Sequence, residues 1–408
     1  MMRALFVDHA FPGNLGGYAA CLAEAGGWEV DFLAARAGAE PRGNRVRLHA
    51  VKAREEVAGA VHPATRDFSF QVKGGRRALQ AARKICPTPP DVVVTGCGRF
   101  SAMLFGSVWT TPIVSYVHTF HEGVRLEPGD ARQEGAAFAA TFSNAGRLLH
   151  LLQSERAFTM SRYQVQMVPR EFRHKIRLLP RPVDRGVFRA DAPWPARIPR
   201  PPEGVPLVTF LPVEPWWAPG AGFDCFLRAF RMIDREFPGV WVAVAGPEET
   251  PERRARFREI LERAGLDAGR FVLVSDEARE PLAGVLARSA VCVASSLANP
   301  PGDGFFGAMG CGGPVLIASD TPPLREFVRH GQNGLSFGWG MVRELAWGMR
   351  AVLGDPAGHS GLAGAAGRFV AAHLDTAVLA PRVADFFGRS LDLAPDDFRE
   401  GQSLIEEV

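Results

Sequence analysis

Short apolar runs recur along this chain between longer amphipathic stretches, in the alternating order that a parallel sheet flanked by helices requires. In the first half, ALFVD (4–8), WEVDFL (28–33), DVVVT (91–95) and PIVSYV (112–117) read as buried strands. Residues 16–25, 65–85 and 132–152 read as the helices around them. The pattern breaks at 189–206, RADAPWPARIPRPPEGVP, whose prolines remove main-chain donors and suit a connection. It then restarts: LVTFL, VWVAVAG, FVLVS, VCVASS and VLIAS (315–319) read as strands, with helices expected over 222–236, 251–264 and 281–288. Residues 345–353 and 361–388 are helical by the same reading.

The pattern predicts an α/β chain of two doubly wound, Rossmann-like domains, and the length of 408 residues suits two cores rather than one. We place the first domain at 1–190, a proline-rich linker at 191–206 and the second domain at 207–370. A last helix follows at 371–391, and then an acidic tail at 392–408.

Composition narrows the function classes. Apolar residues make up 47% of the chain, yet no run approaches the roughly 18 needed to span a bilayer. MMRALFVDHAFPGN reads as a first strand and not as a signal peptide. The six cysteines are dispersed with no CxxC pair, which suits free buried thiols in a reducing cytoplasm. Net charge is +3, with basic residues gathered at Lys73, Arg76, Arg77, Arg83 and Lys84 and again from Arg162 to Arg189. Solvated faces account for such clusters; the alternative is contact with an anionic acceptor or with an anionic membrane surface, which would make the protein membrane-peripheral. Interleaved aromatics and binding motifs for nucleic acid are missing, so nucleic acid is not an expected partner.

The chemistry-bearing segment is 299–326, NPPGDGFFGAMGCGGPVLIASDTPPLRE. Gly302 and Gly304 free the main chain to turn, and a helix starting near Phe305 and Phe306 would offer unpaired N–H groups and a positive dipole end to a phosphate. Asp320 and Thr321 follow VLIAS at the carboxyl end of a strand, where open α/β sheets bind ligands. An earlier loop, FPGNLGGYAACLAE, places Gly16 and Gly17 between the first strand and the first helix. In YVHTFHEGVRLE, His118 and His121 follow a strand and could orient or protonate a hydroxyl or a leaving phosphate. Trp216 and Trp217 read either as packing or as a stacking surface for a sugar or base.

Segment 299–326 resembles the donor-site signature of family 4 glycosyltransferases, which have the two-domain GT-B fold. HPATRDFSFQVKGGRRALQAARK, PDVVVTGCGRFSAMLF and FTMSRYQVQMVPREFRHKIRLLPRPVDRGVFR resemble one bacterial branch of that family, so the resemblance covers roughly residues 1–355. It implies two domains facing each other across a cleft that holds the ligand, with the last helix returning to the first domain. Carried over residue by residue, donor or phosphate contacts fall on Gly16, Gly17, Asn299, Gly302, Gly304, Phe305, Phe306, Asp320, Thr321 and Arg325. His118 and His121 become the catalytic candidates.

The activity so implied is metal-independent sugar transfer from a nucleotide-sugar co-substrate, without a further cofactor, to an envelope glycan, a lipid or a small-molecule acceptor. The chain departs from the family at the donor site. Asn299 and Gly307 stand where the family has two glutamates, and residues 201–227 contain no Lys or Arg where the family neutralises the diphosphate. Ala221-Gly222-Phe223 replaces an Arg-Gly-Phe, and Arg325 is the substitute cation nearest in sequence. The alternative reading is a catalytically inactive GT-B protein serving as a scaffold, partner or sugar-binding subunit.

Overall fold

The computed structural model describes residues 1–38, 45–51, 65–98, 100–120, 131–247 and 250–389, with the backbone alone over 131–140. His121, Glu122, Glu127, the entry of the HPATRDF motif and the tail 392–408 lie outside the described residues. The chain divides into two compact units, one of Met1–Pro182 with Leu379–Val408 and one of Val183–Val378. Residues 183–206 thus group with the second unit, including the proline-rich stretch.

The first unit holds a seven-stranded parallel sheet in the order β3-β2-β1-β4-β5-β6-β7. Its strands are β1 (Met2–Phe11), β2 (Trp28–Ala37), β3 (Val46–Ala50), β4 (Val92–Gly96), β5 (Ile113–Tyr116), β6 (Arg156–Thr159) and β7 (Ile176–Leu178). Helices α1 (Gly16–Ala25), α2 (Arg66–Ile85), α3 (Ala131–Gln153) and α4 (Arg162–Met167) connect them. The middle of β1, residues 4–8, and all of β4 are buried, which explains their apolar runs. On α2 the buried positions are Gln71 and the small residues Gly74, Gly75, Ala78 and Ala82, which let the helix pack closely, while Arg76, Arg83 and Lys84 are exposed.

The second unit repeats the plan with six parallel strands in the order β10-β9-β8-β11-β12-β13. These are β8 (Leu207–Pro212), β9 (Trp241–Gly246), β10 (Phe271–Ser275), β11 (Val291–Ser295), β12 (Val315–Ser319) and β13 (Leu335–Phe337). Helices α5 (Phe223–Ile233), α6 (Pro251–Arg263), α7 (Arg279–Leu286), α8 (Asp303–Cys311), α9 (Pro322–Arg325), α10 (Val342–Gly354), α11 (Pro356–His373) and α12 (Thr376–Gly388) complete it. On α5, Phe223, Phe226, Leu227, Phe230 and Ile233 recur at helical spacing and are buried together. Capping fixes two helix starts: Thr250 Oγ1 accepts from Arg253 N at 3.3 Å, and Asp355 Oδ1 accepts from Gly358 N at 2.9 Å, each followed by Pro at the first helical position. α12 leaves the second unit and enters the first, where Phe387 packs edge-on against Phe6 and Phe158.

Each sheet reverses its strand order once, between β1 and β4 and between β8 and β11. The loops at the carboxyl ends of those strands are where a doubly wound sheet holds ligands. Among the described residues no helix is long and apolar enough to cross a membrane, and the six cysteines are free, with Cys97 and Cys225 partly exposed.

Candidate functional site

In the second unit, the loops after β8, β11 and β12 are tied into one polar framework. Ser296 Oγ donates to Asn299 O at 2.7 Å, and Asn299 N donates back to Ser296 Oγ at 3.0 Å. Thr321 Oγ1 donates to Ser296 O at 2.8 Å, so the buried Thr321 hydroxyl braces the loop. Asn299 Nδ2 donates to Glu214 Oε1 at 2.8 Å, joining the loop after β11 to the loop after β8. Gly222 ends that latter loop with φ +71°, a left-handed conformation that favours glycine.

The same framework leads into the start of α8, where the first N–H groups of a helix lack intrahelical partners. Gly302 caps it with open space where a side chain would project. Gly304, one step into the helix, faces Leu211 and Leu282 instead, at ordinary packing distances of 3.4 and 3.5 Å. The rings of Phe305 and Phe306 are buried against Phe327, so only their main chain could meet a ligand.

A cation beside this helix start is one that the sequence did not suggest. Arg279, the first residue of α7, lies 3.3 Å from Asp303 Oδ2 in the first turn of α8, with both side chains largely buried. Its guanidinium also covers the Phe188 ring at 5.4 Å. Its Nε lacks a well-aligned hydrogen bond. Arg325, the cation suggested by sequence, is exposed and donates from Nε to Asp320 Oδ1 at 2.5 Å, which holds its pKa above the usual arginine value. Asp320 and Arg325 are thus committed to each other.

The positions that differ from the family are filled. Phe188 packs against Gly307 and Gly310, and Ala221 is completely buried. Trp216 is core, packed edge-on against Trp217 and Phe257 and tilted against Phe223, while Trp217 carries Arg253 over its ring at 5.2 Å. Packing is the reading that fits both tryptophans.

In the first unit, the loop after β1 closes around Asp8. The Asp8 carboxylate accepts from His9 N at 2.7 Å and Asn14 N at 3.1 Å, and burial nonetheless pushes its pKa up to about 6. Arg181, buried, donates to Gly13 O at 3.0 Å and to Asn14 Oδ1 at 3.3 Å. Gly13 has φ +50° and leaves no room for a Cβ beside Ala10 O. Gly16 and Gly17 are close approaches as well: a side chain would come within 2.6 Å of Pro12 Cβ at the first and 3.2 Å of Pro182 O at the second.

His118 sits beside this loop cluster. Its ring centroid lies 6.1 Å from that of Tyr116, and its carbonyl accepts from Gln164 Nε2 at 2.6 Å. Desolvation, and then the charges of Arg181 and Arg147, push its pKa down to about 4, although its surface is partly exposed. The ring is therefore neutral at physiological pH, suited to orienting a hydroxyl rather than carrying a proton to a leaving group. The Tyr116 hydroxyl lies beside Gln164 and Arg181 without a well-aligned hydrogen bond, and burial pushes its pKa up to about 12. His121, the second histidine of the sequence reading, lies outside the described residues.

Much of the second basic cluster serves the scaffold. Arg173 donates to Val168 O at 2.8 Å, Lys175 to Leu151 O and Ser154 O at 3.0 and 2.9 Å, and Arg177 to His174 O at 2.9 Å. These cations occupy carbonyls at helix ends and turns.

Comparison with known proteins agrees with this architecture. The profile described as Glycosyl transferase family 4 group matches residues 26–186, and that described as Glycosyl transferases group 1 matches 218–366. No curated protein matches the chain in sequence. Sucrose-phosphate synthase from Thermosynechococcus elongatus superposes with TM-score 0.69 at 17% identity, over 95% of this chain and 99% of its own. A glycosyltransferase from Rickettsia africae does so with TM-score 0.62 at 11% identity, over 96% and 99%. HepE from Anabaena, solved in complex with UDP-glucose, gives TM-score 0.63 at 14% identity, over 95% and 100%. With matching profiles on both halves and a parallel Rossmann-like sheet in each unit, this chain belongs to the family 4-like glycosyltransferases of the GT-B fold.

Proposed function

We propose that the chain transfers a sugar from a nucleotide-sugar donor, and that the donor diphosphate sits at the open N-terminus of α8. The observation that carries this reading is the pairing of Gly302, which faces open space, with Arg279, a largely buried cation of α7 that reaches Asp303 in the first turn of α8. As the glycosidic bond to the diphosphate breaks, negative charge grows on the leaving oxygens. Unpaired helix N–H groups and a guanidinium stabilise that charge without a metal ion. Arg279 would supply the cation that residues 201–227 lack. A bound diphosphate would share the guanidinium with Asp303, whose own charge opposes an anion there and tunes the affinity downward.

On the acceptor side, neutral His118 would orient a hydroxyl of an envelope glycan, a lipid or a small molecule. The ordered loop held by Asp8 and Arg181 would shape its entry. The exposed Arg76, Arg83 and Lys84 of α2 would supply any peripheral contact with the anionic cytoplasmic face of a membrane.

A second reading keeps the fold and drops the catalysis. It draws on the filled positions at Gly307 and Ala221, which leave no space for the family's acidic and basic donor contacts. Calorimetric titration with a panel of nucleoside diphosphates and nucleotide sugars separates the two. Selective binding of one base series, followed by slow hydrolysis of the matching nucleotide sugar, is the expected result. A folded protein that binds nothing in the panel would leave the non-catalytic reading standing.

A further inference from the structure

Strand β10 forms one edge of the second sheet: β9 pairs with it on one side, and among the described residues no strand lies on the other. Just beyond β10, Asp276 N donates to Gly246 O at the end of β9. Main-chain groups alternate between the two edges of a strand in parallel pairing, so Val272 and Val274 turn toward β9 while Leu273 and Ser275 turn outward.

A groove of about 840 Å³ runs along that outer edge. Its far wall is the proline-rich segment, folded on itself by Trp194 Nε1 donating to Ile198 O at 2.8 Å and Ile198 N donating to Pro195 O at 3.1 Å. The segment is seated on α7, where a side chain on Gly284 would collide with Pro193 O and reach within 3.0 Å of Pro195 Cδ. Phe257 and Leu261 of α6 form part of an apolar floor, and among the described residues the rim carries Arg197, Arg254 and Arg258 against the single carboxylate of Glu280.

We propose that this groove binds an extended acidic peptide segment of a partner protein, which adds as a strand to the outer edge of β10. A free strand edge offers main-chain donors and acceptors at a spacing that another main chain matches and an alkyl chain does not. The five residues of β10 extend about 17 Å, enough for a guest of five or six residues. Alternate guest side chains would reach the floor, and acidic ones between them would meet the rim arginines. The proline wall on the far side would guard the edge against open-ended sheet association. None of the residues at the α8 start or around His118 takes part, so the proposal stands apart from the transfer reading.

Panning a displayed library of random octapeptides against the whole protein tests it. The expected enriched sequences alternate apolar residues with Asp or Glu. Synthetic copies should lose at least tenfold in affinity when Arg254→Glu and Arg258→Glu, both exposed on α6, are combined. The same loss should follow N-methylation of alternate peptide amides, which removes main-chain donors and keeps the side chains, and which needs no protein variant. No enrichment, or peptides indifferent to both charge reversal and methylation, would overturn the proposal. So would binding of dodecyl phosphate in the groove that no enriched peptide displaces, which would mark a site for amphiphiles.

Discussion

The ring of Phe188 occupies the space above Gly307: a Cβ on that glycine would stand 2.5 Å from Phe188 Cε1 and 3.0 Å from Cγ. The family's glutamate is therefore replaced by a glycine and an aromatic ring together. Gly307→Glu should destabilise the protein by roughly 3 kcal/mol or more, from overpacking and from burying a charge. A fall in melting temperature on the order of 10 °C is expected. Adding Phe188→Ala should restore part of that loss, and a Gly307→Glu variant as stable as wild type would show that the ring moves aside freely.

Gly302 and Gly304 should respond in opposite ways. At Gly302 a valine would project into open space at the start of α8, with the ordinary φ of −102°. Gly302→Val should leave the melting temperature within about 2 °C and weaken nucleotide binding at least tenfold. At Gly304 the neighbours Leu211 and Leu282 would be overpacked, at a cost of roughly 1–3 kcal/mol. Paired thermal denaturation and titration of the two variants decide this, and a Gly302→Val protein with unchanged affinity would remove the phosphate from the helix start.

Acid sensitivity has two opposed sources. His118 and His150 are both pushed down to about 4 by burial, so between about 6.5 and 4 the unfolded chain binds protons that the folded chain refuses. Their contribution to stability is lost as pH falls through that window, by up to about 1.4 kcal/mol per pH unit for each group. Asp8, raised from 3.8 to about 6, has the opposite sign: its contribution is fully present below 3.8 and lost as pH rises through 6. Urea denaturation at several pH values should show a steeper acid decline for Asp8→Asn than for wild type and a shallower one for His150→Asn. The reverse order would contradict the burial of these groups.

The two tryptophans differ in what they support. Trp216 is 2% exposed within an aromatic cluster, and Trp216→Ala should cost roughly 3–5 kcal/mol. Trp217 is partly buried beneath Arg253, and Trp217→Ala should leave nucleotide affinity within about twofold. A large loss of affinity at Trp217 would restore the stacking surface considered from sequence.

The central strands and most helices were legible because an apolar run buried on both faces, or a helical stripe such as that of α5, writes itself into the sequence. Strands β3, β6, β7 and β13 were not, since they are short and pair near or at sheet edges where polar residues are tolerated. The stretch 361–388, read as one helical segment, is covered by two helices, Pro356–His373 and Thr376–Gly388, separated where Val183 bridges Asp375. At the site, the glycine-rich loops and the missing charges were visible. Arg279 and Phe188 were not, because each acts on α8 from another part of the sequence: Arg279 lies in no motif, and Phe188 lies in the segment 158–189, whose resemblance assigned it no role.

The account rests on a diphosphate held by the start of α8 and Arg279, and one comparison tests that most directly. Titration calorimetry of wild type and Arg279→Gln with a nucleoside diphosphate and with the parent nucleoside isolates the phosphate contribution. Wild type should prefer the diphosphate strongly, and the variant should lose about ten- to a hundredfold of that preference, the size expected for a charged hydrogen bond. Its affinity for the nucleoside should not change. An equal preference in both proteins, or none in wild type, would contradict the account.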